Sequence, residues 1–170
     1  MKHHAQDHTG ICLPLSSATP HHSDRDEDAV IEEAMAILEK RFIRCDFLTN
    51  PTLTRQYLTI ALGAELREVF ALVLLDNKHG VIGLERLFFG TIDGASVYPR
   101  EIVKCVLRAN AAAVILVHNH PSGDPSPSRE DERITQRIVE ALNLIEVRTL
   151  DHLIVAGTQI VSMAEEGLMP

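Results

Sequence analysis

Continuous runs of apolar residues are the clearest pattern along this chain, and they predict strands that are buried on both faces. The run at 68–75 is followed by the turn residues Asp-Asn-Lys-His-Gly, so it predicts a hairpin whose second strand covers 81–89. Further extended segments are predicted at 113–119, 145–149 and 152–156, with a short one at 96–98.

Apolar residues at helical spacing predict four helices, at 27–42, 51–63, 99–110 and 129–142. Asn50 stands directly before Pro51, an arrangement that suits the N-cap and first turn of the second helix. Because helices alternate with a hairpin and single strands, the order favours the α/β class, with a mixed β-sheet flanked by helices.

The chain divides into three predicted parts. Residues 1–25 are rich in His, Ser, Asp and Thr without a hydrophobic period, so we expect a disordered tail whose histidines are solvated rather than metal-bound. An N-terminal helix is expected at 26–41. The remainder, 42–170, is expected to fold as one domain, because the 170 residues suit a single core of ordinary size.

Composition narrows the class of partner. The chain is 45% hydrophobic and 24% charged, which is typical of a soluble globular protein. Its formal net charge is -8, so no general basic field attracts phosphate groups. It has no Trp, two Tyr and five Phe, so aromatic platforms for single-stranded nucleic acid are scarce. These values argue against nucleic acid as the main partner.

Cysteine usage and the lack of a long apolar segment predict a soluble cytoplasmic protein. Cys12, Cys45 and Cys105 are far apart and form no CxxC pair, so neither a disulfide framework nor a zinc knuckle is indicated. Cys105 is interpreted as a small packed residue within its helix. No apolar run approaches the roughly 20 residues that span a bilayer, and the N-terminus lacks the apolar core of a signal peptide.

Two histidines at the end of the predicted strand 113–119 carry the clearest chemical signal. His118 and His120 are two residues apart, and residues i and i+2 of a strand point to the same face. Both imidazoles can therefore reach one point in space. A proline-rich loop follows, and Asp131 lies in the first turn of the next predicted helix. Two imidazole nitrogens and one carboxylate form a Zn²⁺ ligand set that leaves a position open for water.

Asp131 also has an explanation that involves no chemistry. The sequence Ser128-Arg-Glu-Asp131 matches an N-capping box, in which the serine caps the helix and the acid reaches back. The two interpretations are compatible, because a carboxylate in the first helical turn can also face a metal. With His118, His120 and Asp131 as ligands, a Zn²⁺ site would keep a net charge of about +1, lower the pKa of its water toward roughly 7 and polarise a carbonyl oxygen.

A hydrolase of this kind needs a general base, and four acids are candidates: Glu65, Glu68, Glu85 and Glu101. Glu68 begins the first strand at the rim of an apolar run, where a charge is costly unless it is used. Glu85 lies in the middle of the returning strand, where an exposed pair with Arg86 would account for it. Spacing alone does not rank Glu68 against Glu85.

The chain resembles the JAMM metalloproteases of the JAB/MPN group in one spaced set of residues: Glu68…His118-x-His120-x7-Ser128-x2-Asp131. The residues around this set are similar to those of the RadC family within that group: Tyr98-Pro-Arg-Glu-Ile, His118-Asn-His-Pro-Ser-Gly-Asp-Pro and Asp151-His-Leu-Ile-Val. The resemblance covers about 42–168. It implies a JAB/MPN domain at 42–170 with a cytidine-deaminase-like architecture, a mixed sheet wrapped by helices.

The resemblance implies a role for each residue that matches. His118, His120 and Asp131 are implied as zinc ligands. Glu68 is implied as the general base, and Ser128 as a hydroxyl that stabilises a tetrahedral oxyanion. The implied activity is that of a zinc-dependent hydrolase that cleaves a peptide or isopeptide bond with a metal-activated water.

Two further groups of polar residues have open interpretations. Asp151 and His152 either hold a ligand histidine in place through hydrogen bonds or are a strand-start acid and a packed imidazole. The loop residues Ser122, Gly123 and Asp124 are expected to line the mouth of the site.

Two other functions remain as alternatives: a non-catalytic interaction module with the JAMM fold, and a metal-dependent hydrolase that acts on nucleic acid in DNA repair. The resemblance implies that full-length RadC proteins carry an N-terminal helix-hairpin-helix segment that contacts DNA, and the residues before 42 show no glycine-rich hairpin of that kind. This departure and the net charge of -8 argue against a role in DNA repair. The partner is expected to be a peptide or protein substrate, and neither its identity nor the oligomeric state follows from the sequence.

Overall fold

The computed structural model describes residues 24–43, 50–90 and 96–170, with the side chains of the first range described from residue 27. The predicted tail up to residue 23, with Cys12, and also Cys45 lie outside the described residues. Within them the chain forms these elements: α1 (Asp24–Phe42), α2 (Pro51–Leu62), β1 (Val69–Leu75), β2 (Val81–Phe89), α3 (Pro99–Ala109), β3 (Ala113–Asn119), α4 (Arg129–Asn143), β4 (Arg148–Ala156) and β5 (Gln159–Ser162).

The strands form one mixed sheet in the order β2-β1-β3-β4-β5. The pair β3–β4 is parallel, and the pairs β1–β2, β1–β3 and β4–β5 are antiparallel. Every residue of the two central strands β1 and β3 is buried, as their continuous apolar runs predict. The mixed sheet with its helices confirms the predicted α/β class and is consistent with a JAB/MPN domain.

Helices cover the sheet on both faces, and each face has its own hydrophobic core. On one face, Phe42 at the end of α1 and Tyr57 of α2 stack with ring centroids 4.3 Å apart above β1 and β3. On the other face, Ile102 of α3 and Ile138 of α4 pack against β1 and β3. Along β3, Val114 and Leu116 point to the α3–α4 face, so His118 continues that row at the end of the strand.

Two of the predicted strands are wrong in detail. The segments predicted at 145–149 and 152–156 contribute to one strand, β4, which pairs with β3 from Arg148 to Val155. The register shifts opposite Val114 and Ile115, so a bulge near Leu150 interrupts the hydrophobic alternation that suggested two strands. Residues 145–146 belong instead to the turn after α4, where Glu146 has a φ of 60°.

The last strand, β5, is not among the predicted elements. It has four residues and only Ser162 is buried, so it carries little hydrophobic signal. A tight turn joins it to β4, with Gly157 at a φ of 58°, which glycine adopts without steric cost. The extended segment predicted at 96–98 forms no strand.

The helices agree closely with the apolar spacing. α1 begins at Asp24, so two residues assigned to the tail are helical, and it ends one residue beyond the predicted limit of 41. Asn50 caps α2 as expected, because its side-chain oxygen accepts a hydrogen bond from the Leu53 amide at 3.2 Å. No helix in the described ranges is long and apolar enough to cross a membrane.

Candidate metal centre

The end of β3 brings His118 and His120 together. His120 follows the last residue of the strand, and its amide still donates to the Val155 carbonyl of β4 at 2.8 Å, which extends the ladder to this residue. Both imidazoles therefore project to the α3–α4 side of the sheet, as the i, i+2 spacing predicts. Their Nε2 atoms lie 2.9 Å apart.

The first turn of α4 adds the carboxylate of Asp131. Its Oδ1 lies 3.2 Å from His118 Nε2, and its Oδ2 lies 3.6 Å from His120 Nε2. The capping box is also present, because the Ser128 hydroxyl oxygen accepts from the Asp131 amide at 3.2 Å and Asp131 Oδ2 accepts from the Ser128 amide at 2.7 Å. The Ser128 hydroxyl in addition donates to Asp131 Oδ2 at 2.6 Å. The two explanations for Asp131 therefore coexist, and the cap holds the carboxylate toward the histidines.

A chain of buried hydrogen bonds fixes the orientation of His118. Its Nδ1 lies 2.8 Å from Nε2 of His152, whose own Nδ1 lies 2.6 Å from the Thr135 hydroxyl. The hydroxyl of Thr135 in turn donates to the backbone carbonyl of Asp131 at 2.6 Å. One set of proton positions satisfies every member: His118 and His152 both carry a proton on Nδ1. In that tautomer the Nε2 lone pair of His118 faces His120 and Asp131.

The proline-rich loop fixes His120 in the same way. Its Nδ1 donates to the backbone carbonyl of Asp124 at 2.7 Å, so its Nε2 also presents a lone pair to the site. Of the three loop residues expected at the mouth, Asp124 thus contacts the site, through its backbone. Gly123 shapes the loop, with a φ of 84° and an amide bonded to the His120 carbonyl at 3.1 Å.

The charges of these groups respond strongly to their surroundings. Burial opposes ionisation of Asp131, but its contacts with His118, His120 and Ser128 outweigh burial and hold the pKa of the carboxyl well below its usual range. The Asp131 carboxylate raises the pKa of His120, because it stabilises the imidazolium. Complete burial lowers the pKa of His152 far below its usual value, so this side chain is neutral, as its place in the hydrogen-bond chain requires.

The donor set fits a tetrahedral metal ion. One ligand atom from each of His118, His120 and Asp131 can be chosen so that all lie within 4.8 Å of one another. Ligand atoms held 2.0–2.1 Å from a tetrahedral Zn²⁺ lie about 3.3 Å apart, close to the nearest approaches here. Two lone pairs and a carboxylate at such distances repel one another unless a cation lies between them. These three residues could therefore hold a metal ion.

A cavity of about 440 Å³ opens beside the three residues. Glu68, directly before β1, lines it together with His120, Ser128 and Asp131. Phe70, Val97 and Tyr98 also line it, together with Ile134 of α4. The cavity thus brings the carboxylate-bearing residue Glu68 to the same space as three of the residues around the candidate metal centre, His120, Ser128 and Asp131.

The other candidate acids lie away from this cavity. Glu101 forms a surface pair with Lys104 at 2.7 Å, which lowers the pKa of its carboxyl. Glu85 is exposed on β2, opposite Leu72. The predicted pair between Glu85 and Arg86 is wrong, since the Arg86 guanidinium donates to the Ala61 carbonyl at 2.7 Å. Among these acids and Glu65, Glu68 alone lines the cavity.

Asn119 positions the backbone around Glu68, a function that sequence reasoning missed. It is buried, and its side-chain oxygen accepts from the Val69 amide at 2.8 Å. Its amide group donates to the carbonyls of Glu65 at 3.3 Å and Arg67 at 3.1 Å. Asn119 therefore forms hydrogen bonds to the backbone on both sides of Glu68. The available signal was a polar residue at the end of a strand whose other residues are buried.

Of the two interpretations of Asp151 and His152, His152 fits support of a histidine of the site, whereas Asp151 has a structural role. His152 contacts the Nδ1 of His118, so it supports a possible metal ligand. Asp151 instead accepts hydrogen bonds from the Ser162 hydroxyl at 2.7 Å and the Ala164 amide at 3.0 Å, so it fastens the segment after β5. Cys105 is buried, and burial raises the pKa of its thiol, which agrees with a packed residue rather than a nucleophile.

Comparison with known proteins identifies the family. Residues 48–168 match the family described as RadC-like JAB domain. A UPF0758 protein of Vibrio cholerae serotype O1 is 55% identical over 83% of this chain and 89% of its own length. UPF0758 proteins of Aeromonas salmonicida and Nitrosococcus oceani are 56% and 53% identical, and there the chain spans 61% and 63% of the relative's length. The chain belongs to the RadC family, with a JAB-type domain that contains a possible His-His-Asp metal site.

Proposed function

We propose that this protein is a zinc-dependent hydrolase of the JAMM type that cleaves an amide bond, either a peptide or an isopeptide bond. The observation that carries the proposal is the meeting of His118, His120 and Asp131 beside a cavity lined by a separate carboxylate, Glu68. Three protein ligands leave one tetrahedral position open, which is the arrangement of catalytic rather than structural zinc sites.

Bound zinc supplies Lewis acidity, which lowers the pKa of a coordinated water and polarises a substrate carbonyl. His118 and His120 present neutral Nε2 donors because their Nδ1 protons are held by His152 and by the Asp124 carbonyl. Asp131 adds one negative charge, and its capping box keeps the carboxylate from rotating away. The chain thereby leaves a site with a net charge of about +1, which suits the development of negative charge during amide hydrolysis.

Glu68 acts in this proposal as the general base. It takes the proton of the water as the water oxygen bonds to the carbonyl carbon, and it returns that proton to the leaving amine as the C–N bond breaks, so the carboxylate is regenerated. Its backbone position is fixed by the hydrogen bonds of Asn119 to the neighbouring residues and by a hydrogen bond from the Gly90 amide to the Glu68 carbonyl at 2.8 Å.

Ser128 would have to exchange its hydrogen-bond partner to stabilise an oxyanion in this mechanism. Its hydroxyl proton is donated to Asp131 in the structure, at 2.6 Å, so stabilisation of an oxyanion requires that the hydroxyl first turn away from the carboxylate. The role implied for it by the family resemblance stays a prediction. Its contribution to the orientation of Asp131 acts in either case.

The central test compares metal content with turnover. Purified protein should contain about one zinc per chain by inductively coupled plasma analysis, and Asp131→Asn should lose it while Glu132→Gln, a change of the exposed neighbouring acid, should not. Glu68→Gln should keep zinc and abolish cleavage of a peptide library and of lysine-isopeptide probes, because it cannot accept the proton. Glu85→Gln is the matched control and should keep both properties. Loss of turnover in Glu85→Gln alone would reject the base assignment.

The proposed substrate is a peptide or protein rather than nucleic acid, in keeping with the net charge of -8. A salt-dependent shift of labelled DNA or RNA upon titration would favour a nucleic-acid hydrolase instead. Zinc-dependent capture of a partner without cleavage of any amide probe would favour a non-catalytic interaction module.

A further inference from the structure

The cavity beside the candidate metal centre is also lined by one arginine, Arg137 of α4. It follows Asp131 by six residues, which corresponds to about 9 Å along a helix axis. Ile134 lies between them and lines the same cavity. One wall of the cavity therefore runs along α4 from the metal-facing carboxylate to a guanidinium group.

Arg137 has no charged partner within the described part of the chain. Its neighbour Arg133, one turn earlier, pairs with Glu130 at 3.0 Å. The nearby acid Glu140 accepts a hydrogen bond from Gln136 at 2.7 Å. Arg137 is exposed and forms neither an ion pair nor a side-chain hydrogen bond among the described residues. Its donors are available to a ligand in the cavity.

The charge balance of the cavity singles out this residue. With zinc bound, the two charges of the ion are offset by Asp131 and Glu68. Glu130 also lines the cavity, and Arg133 neutralises it. Arg137 is then the one charged lining residue without compensation, and the remaining lining residues are uncharged polar or apolar side chains such as Ser96, Val97 and Ile134. An anionic group of a substrate would find its complement at that end of the cavity, where a planar guanidinium binds a carboxylate through two parallel hydrogen bonds.

We propose that Arg137 binds a carboxylate of the substrate, two or three residues from the scissile amide, so that the site selects acidic peptides. The spacing follows from about 9 Å along the helix and about 3.3 Å per residue of an extended peptide. The carboxylate belongs either to an Asp or Glu side chain or to the C-terminus of the peptide, which share the same chemistry. The inference rests on the proposed amide hydrolase, because it names the class of peptide that the same cavity binds.

The test measures peptide binding by fluorescence anisotropy, with the zinc-loaded full chain carrying Glu68→Gln so that no peptide is consumed. One series of labelled, amidated octapeptides carries a single Glu at successive positions, a second carries Gln at the same positions, and a third lacks Glu but has a free C-terminus. We expect at least one carboxylate peptide to bind about tenfold more tightly than its neutral counterpart, as is typical of a hydrogen-bonded charge pair.

Adding Arg137→Gln should abolish this preference, whereas adding Arg133→Gln should preserve it, because Arg133 lies on the same helix but does not line the cavity. Preference for the Glu series identifies a side chain as the source, and preference for the free C-terminus identifies the peptide end. A preference that survives Arg137→Gln, or binding by no peptide, overturns the proposal. Turnover by the unmodified chain is measured separately, so an absent preference in an active enzyme refutes Arg137 alone. An absent turnover with an intact preference refutes the hydrolase alone.

Discussion

Thr135 shows how a single buried hydroxyl can orient a possible metal ligand, His118, without contacting it. It is fully buried, and it joins the Nδ1 of His152 to the carbonyl of Asp131. His152 in turn contacts His118, so one hydroxyl connects two of the three groups that could hold a metal. Such outer contacts keep the ligand nitrogen in the correct tautomer and reduce the entropy lost when the metal binds.

Replacing Thr135 by Val preserves shape and removes the hydroxyl. We expect zinc affinity to fall about 10- to 100-fold, measured by competition with a chromophoric chelator, because His152 loses the partner that fixes its proton. Thr54→Val is the matched control: Thr54 is equally buried and its hydroxyl bonds the carbonyl four residues earlier, at 3.2 Å, but it lies on α2. Equal zinc affinity in the two variants would show that Thr135 has no such function.

Asn119 acts through the hydrogen bonds that its side chain forms with the backbone. Asn119→Ala leaves the buried amide of Val69 without an acceptor, so we expect the free energy of unfolding in urea to fall by about 1–3 kcal/mol. Zinc content should not change, because Asn119 contacts none of the metal-facing atoms, whereas amide cleavage should weaken as Glu68 loses its fixed position. Retained stability together with full cleavage would contradict this account.

At the scale of elements, the sequence predicts those strands and helices that a local pattern of apolar residues determines. β1 and β3 were predictable because both faces are buried and the apolar runs are unbroken. β5 is short and mostly accessible, and the bulge in β4 depends on its pairing with β3, so neither has a clear local pattern. His118 and Asp131 are likewise predictable from local sequence, because they belong to one short motif. The partners of Asn119 lie about 50 residues away in sequence, and only the fold brings them together.

The end of α2 gives a test of packing between elements. A Cβ added at Gly63 would lie 2.4 Å from the Gly157 carbonyl, in the turn between β4 and β5. We expect Gly63→Ala to lower the free energy of unfolding by about 1–3 kcal/mol, since neither backbone can move without disturbing its element. Gly83→Ala on β2 is the control, because nothing lies within 4 Å of its added Cβ. That change should be neutral or stabilise the strand by about 0.5–1 kcal/mol, and equal losses in both variants would contradict the packing argument.

At the scale of the whole molecule, the candidate metal centre adds a direct link between the end of β3 and the start of α4, which also pack together through a hydrophobic core. His118 and His120 belong to the end of β3, and Asp131 belongs to α4, which packs on the same face of the sheet. In the absence of a cation, these groups either repel one another or take up a proton, and the Asp131 carboxylate favours that proton on His120, which raises the pKa of the imidazole. A bound metal removes this conflict in the folded state and has no comparable site in the unfolded chain.

Metal binding should therefore stabilise the whole fold. A ligand present at 100 times its dissociation constant adds about 2.7 kcal/mol of stability, which for a domain of this size corresponds to about 5–10 °C in the melting temperature. We expect a chelator such as EDTA to lower the melting temperature by that order in scanning calorimetry, and added zinc to restore it. His118→Ala should melt at one temperature with or without EDTA, because it has lost a ligand. If EDTA leaves the unmodified chain unchanged, or destabilises His118→Ala equally, the metal does not hold β3 and α4 together through these residues.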